Sequence, residues 1–118
     1  TEMVRAYLDM VSQAILKEID SIDDLILLLG NGSFAPESFS IALFLAMENS
    51  RNFRNAILKA VNSYGDFGGD TDAIAFVTGG IVGGYIGVSA IPQDWIESLE
   101  DSSYFDLVVR KLIDKMKT

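Results

Sequence analysis

The chain contains neither cysteine nor histidine. Without cysteine there is no disulfide framework and no thiolate chemistry. Without histidine the commonest general base, most catalytic triads and the usual zinc sites are gone as well. Catalysis would have to rest on carboxylates, lysine, tyrosine or a metal. Positive charge is scarce: nine Lys and Arg stand against seventeen Asp and Glu, giving a net charge of −8 and a pI near 4.3. That balance argues against nucleic acid and anionic membrane surfaces as partners, because phosphates are bound chiefly by Lys and Arg. A small phosphate-bearing molecule stays open, since a bound cation reverses the local sign of the field. Internal repeats and low-complexity stretches are lacking. The opening residues are amphipathic and acidic, unlike the basic-then-apolar order of a secretory signal, and a cytoplasmic location is expected.

What is present is apolar and helical. Hydrophobic residues make up 49% of the 118, and the mean hydropathy of +0.27 excludes intrinsic disorder. The length suits one domain, and the apolar excess is consistent with a piece of a larger domain whose other half would cover it. An exposed apolar face would predict self-association. Met3, Ala6, Tyr7, Met10, Val11, Ala14 and Ile15 recur at helical spacing. A short helix from Ser21 should end at Gly30, and Pro36 should sit in the first turn of a deeply buried helix to about Asn49, carrying Ile41, Leu43, Phe44, Leu45 and Met47. Ser50 is the expected cap of the next helix, which turns Phe53, Ala56, Ile57, Ala60 and Val61 to one side and Arg51, Arg54 and Lys59 to solvent. Pro92 starts a short helix to about Leu99, and Asp101-Ser102-Ser103 opens a final amphipathic one.

Between these lies Gly68-Gly69-Asp70-Thr71-Asp72, followed by an uncharged segment from Ala73 to Gln93 with glycines at 79, 83 and 87. The segment is long enough for a membrane span with a small-residue packing face. Its flanking Asp70, Asp72 and Asp94, the lack of a Lys or Arg bias and the interruption at Pro92 favour a helix of a soluble core, where the glycines admit neighbouring helices. Asp70 and Asp72 fit the start of that helix, where carboxylates meet the positive end of the dipole and cap free amides. The same pair offers hard oxygen ligands to a divalent cation such as Mg²⁺. Gly30-Asn31-Gly32 read alone is a turn.

Read together, these residues resemble the ADP-ribosylglycohydrolase family, the group that includes the dinitrogenase-reductase-activating glycohydrolases. Asn62 to Pro92 looks like the family's C-terminal signature: a Gly-Gly-Asp-x-Asp-Thr loop, a small-residue helix, then Tyr85, Gly87, Ile91-Pro92 and Trp95 in order. Leu29-Gly30-Asn31-Gly32, Pro36-Glu37-Ser38 and Ala42-Leu43 resemble its upstream loop and helix. The resemblance implies an all-α fold, a compact orthogonal helical bundle, as the C-terminal part of the family's domain. It also implies a dinuclear Mg²⁺ or Mn²⁺ centre and hydrolysis of the bond between ADP-ribose and a protein side chain or small group. In that scheme Asp70 and Asp72 are metal ligands, and Gly68 and Gly69 let the backbone approach the ribose. Gly30, Asn31, Gly32, Ser33 and Phe34 line the nucleotide side, and Glu37 is a first-turn acid of its helix.

Two departures stand out. Ala73 occupies the place of a Thr or Ser ligand, and the loop is lengthened around Tyr64 to Phe67; either Asp66 or a water would fill the vacancy, or one metal would be bound weakly. The early acidic run and the acid and base residues of the family have no counterpart here. Two readings follow: the C-terminal portion of a metal-dependent hydrolase that acts on ADP-ribosylated protein with an N-terminal half, covalent or separate, or a non-catalytic helical module that binds a protein or a nucleotide.

Overall fold

The structure is a computed structural model in which residues 1–117 are described. Among the described residues seven α-helices follow one another: α1 Glu2–Leu16, α2 Ile22–Leu29, α3 Ala35–Glu48, α4 Phe53–Val61, α5 Thr71–Ile86, α6 Gln93–Ser98 and α7 Ser102–Met116. Among the described residues there is no strand, only an isolated antiparallel bridge between Gly65 and Gly68. The all-α expectation holds.

Local chemistry sets most of the boundaries. Thr1 caps α1, and Ser21 Oγ accepts from the Asp24 amide at the start of α2. Gly30 ends α2 at φ 77°, and Pro36 sits in the first turn of α3. One expected cap is wrong. Asn52, not Ser50, caps α4: its Oδ1 accepts from the Asn55 amide at 2.9 Å, while Ser50 lies in the turn closed by Asn52 N donating to Asn49 O. The central helix is also shorter than the uncharged run, because Gly87 at φ 84° terminates it and a 3₁₀ turn, Val88–Ala90, follows. Among the described residues no helix is long and apolar enough to cross a membrane.

Helix α3 is the hub. Ile41, Ala42, Phe44 and Leu45 pack with Val11 and Ala14 of α1, Leu25 and Leu29 of α2, Ala60 of α4 and Ile74 of α5. Fully burying such aliphatic and aromatic side chains contributes about 1.5–3 kcal/mol each. A second, smaller cluster joins Ala46, Ala56 and Val82, with Phe53 and Ile86 against it. The buried Thr78 hydroxyl donates to Ile74 O at 2.7 Å and reaches Ala42 O at 3.5 Å, pinning α5 to α3. Gly79 and Gly83 do admit a neighbour: a methyl at Gly79 would lie 3.1 Å from Ile57 Cδ1, and one at Gly83 3.6 Å from Phe53. Gly87 packs against nothing and serves as a cap.

Helix α3 is deeply buried as expected except at Met47, whereas α5, expected to lie in the core, is covered on one side only. Phe76 and Tyr85 on α5 are exposed, as are Met47 on α3 and Val61 on α4. Gly80 and Gly84 face open space. Helix α6 is held to α4 by Arg54, which pairs with Asp94 at 3.3 Å and lies 4.9 Å from the Trp95 ring centroid. Helix α7 buries no residue.

Candidate functional site

Two loops 30 residues or more apart in sequence meet where α2 ends and α5 begins. Asn31 joins them. Its side-chain amide donates to Ser63 O at 3.0 Å and to Gly68 O at 2.9 Å, and its own carbonyl accepts from the Asp70 amide at 2.8 Å. The amide group fits because Gly69 has no side chain there: a methyl would collide with the Asn31 amide and lie 2.9 Å from the Ser63 carbonyl oxygen. Gly68 adopts φ 81°, the left-handed region that favours glycine. Ser63 is itself fully buried, and its hydroxyl donates to Ala60 O at 2.5 Å.

The upstream loop has an internal lock. Glu37 in the first turn of α3 turns back, and its Oε2 accepts from the Gly32 amide at 3.0 Å. Methyl groups at Gly30 or Gly32 would fall 2.6 Å and 2.9 Å from that carboxylate. The glycines of this loop thus make room for Glu37. Ser33 is exposed at the loop's end, and Phe34 leans on α1, its ring edge-on to Tyr7 at 6.4 Å. Sequence reading placed Glu37 only as a helix-start acid; a carboxylate five residues after the second glycine was the signal for its added role.

Asp70 and Asp72 stand together at the N-terminus of α5. Asp70 is the N-cap residue; its side chain makes no close capping hydrogen bond, although the Ala73 amide favours the charged form of both carboxylates. The two carboxyl groups also interact with each other. A hydrogen bond to Asp72, with some desolvation and the like charge, raises the Asp70 pKa above its usual 3.8. The same hydrogen bond, helped by the Ala73 amide, lowers that of Asp72. A divalent cation would relieve this repulsion, and the all-oxygen donors suit Mg²⁺ or Mn²⁺. The fit is to part of a centre: among the described residues no group of three or more acidic side chains is placed to hold a metal, and Ala73 supplies no donor. Asp66 does not join the pair. It lies in the turn closed by the bridge between Gly65 and Gly68, on a cleft of about 340 Å³ that also holds Asp23, Leu27, Asn31 and Phe67. A larger cavity, about 510 Å³, lies away from both loops, among Glu18, Glu48, Asn49 and Lys59.

The structure therefore brings Asn31, Gly68, Gly69 and Asp70 into one place, with Asp72 beside them, and directs Phe34 toward α1. The sequence model of the ADP-ribosylglycohydrolases matches residues 1–118, and the chain belongs to that family. It is 33% identical over 113 residues to the ADP-ribosylhydrolase ARH3 of Danio rerio, a match covering 91% of this chain and 30% of the relative. It is 31% identical over 85 residues to the ADP-ribosylarginine hydrolase Tri1 of Pseudomonas putida, covering 72% and 22%. With human ARH3 the identity is 34% over 90 residues, covering 71% and 25%. The chain thus spans less than a third of the length of these curated relatives. No solved structure matches it.

Proposed function

We propose that this chain supplies the C-terminal part of a metal-dependent hydrolase that cleaves the glycosidic bond between ADP-ribose and a protein side chain or small group. The observation that carries this reading is the Asp70 and Asp72 pair, whose carboxyl groups interact at the start of α5 and whose loop is fixed by Asn31. Asp70 and Asp72 would hold Mg²⁺ or Mn²⁺, which when bound supplies Lewis-acid stabilisation of charge at the sugar. The chain's own residues position rather than transform. Gly68 leaves the backbone bare near the aspartates, Gly69 admits the Asn31 amide that fixes the loop, and Glu37 holds the Gly30-Asn31-Gly32 turn in shape.

Turnover in this scheme needs acid and base groups from the part, more than two thirds of the relatives' length, that the chain does not span, whether on the same polypeptide or another. A second reading, a helical module that binds a nucleotide or a partner protein without turnover, is favoured by Ala73 in the place of a donor. Calorimetric titration of Mn²⁺, with and without ADP-ribose, into the wild type and the Asp70→Asn, Asp72→Asn double variant tests the metal half. Binding lost in the variant supports the hydrolase reading; absence of binding in the wild type leaves the loop as a helix start and favours the module. Hydrolysis of an ADP-ribosyl substrate, with the N-terminal portion of a relative added, tests the rest. A rate indifferent to both substitutions defeats the enzymatic assignment.

A further inference from the structure

We infer that the cleft beside the Asn31 bridge receives the polypeptide flanking the modified side chain, and selects peptides that carry basic residues beside apolar ones. This inference rests on the hydrolase reading above. The cleft shares Asn31 and Gly68 with the aspartate loop, so it is continuous with the candidate site. Its lining holds Asp23 and Asp66 and no cationic side chain. Such a wall repels a diphosphate and attracts lysine or arginine.

Phe67 gives the cleft its second property. The ring is fully exposed, at 105% of its reference area, although the residue sits on a tethered turn. Gly68 N donates to Gly65 O at 3.0 Å, Gly65 N returns to Gly68 O at 3.4 Å, and Asn31 fastens the same Gly68 carbonyl to the body of the protein. A large aromatic ring held out on a fixed turn, in the same cleft as the exposed Leu27, presents a face for aliphatic side chains and for cations. Aromatic ring, apolar wall and two carboxylates together match a peptide of alternating basic and apolar character better than they match a nucleotide.

The test uses the 12.9 kDa chain labelled for amide NMR. Two unmodified peptides of equal length are titrated, one with Arg and Lys around Leu, the other with Glu in place of the basic residues; ADP-ribose with Mn²⁺ is titrated separately. The basic peptide should shift the amides of residues 23–27 and 65–68, and the acidic one should not. Phe67→Ala and the Asp23→Asn, Asp66→Asn pair should each weaken the basic peptide by about three- to tenfold, with the ADP-ribose affinity unchanged. Phe67 is fully exposed, so its replacement leaves the fold intact. Equal binding of the two peptides, binding of neither, or a matching loss of ADP-ribose affinity in these variants overturns the inference. Basic-peptide binding without ADP-ribose binding supports the cleft's selectivity and counts against the hydrolase reading alone.

Discussion

At the scale of single residues, Asn31 matters most to the site. Removing its amide leaves the Ser63 and Gly68 carbonyls without this donor, and Asn31→Ala should destabilise the chain by about 1–3 kcal/mol in urea unfolding. Asn31→Asp keeps the shape but points a carboxylate at two carbonyl oxygens, and should be the worse of the two. Equal stability of wild type and both variants would show that the bridge is not formed. Asp70 makes a second prediction. Because Asp72 accepts a hydrogen bond from its protonated form, Asp70 keeps its proton to higher pH than an ordinary aspartate. A metal must displace that proton. Mn²⁺ affinity should therefore fall as pH is lowered, starting above the range where a lone aspartate titrates, and a calorimetric pH series reads this directly. Affinity that stays flat through the carboxylate range would contradict it. The aspartates and glycines were legible in the sequence because backbone shape and cation chemistry demand those residue types. The locks were not, since an Asn or Glu forms such bonds only with groups that folding brings near.

Helix ends were mostly readable for the same reason: Ser21, Gly30, Pro36 and Pro92 act within a few residues of themselves. The cap of α4 escaped because Ser50 and Asn52 are both good caps, and the Asn49 to Asn52 turn decides between them. Asn52→Ala should cost about 1 kcal/mol of stability, whereas Ser50→Ala should stay within about 0.5 kcal/mol. The covered face of α5 was also hidden, because an all-apolar sequence carries no amphipathic signal. The structure divides its glycines. Gly80 and Gly84 meet nothing within 4 Å, so alanine at either should stabilise the isolated chain by about 0.5–1 kcal/mol. Gly87→Ala should destabilise it, since φ is 84° there. Thermal melts of the three variants check the signs, and a loss of stability at Gly80 and Gly84 would mean that α5 is covered on that side.

For the molecule as a whole, the decisive property is unevenness. One end is a packed core around α3, while α7 exposes Tyr104, Phe105, Leu112 and Met116, and α5 exposes Phe76 and Tyr85. Surfaces of this kind promote association. Analytical ultracentrifugation should show the isolated chain associating, and less so after truncation at Leu99, with the core helices unchanged by circular dichroism. A clean monomer at high concentration would refute this. The resemblance in motif order made the family legible, but which surfaces remain bare was not, because burial depends on everything packed in three dimensions. Unevenness extends to time through Asn31. Its side-chain bonds span 32 and 37 residues of chain, so they close a long loop that only docking of α3 and α4 brings within reach. The bridge should therefore form no earlier than α3 and α4 dock, and slow hydrogen exchange of the Asp70 amide, which donates to Asn31 O, should report whether the aspartate loop opens with the core or apart from it.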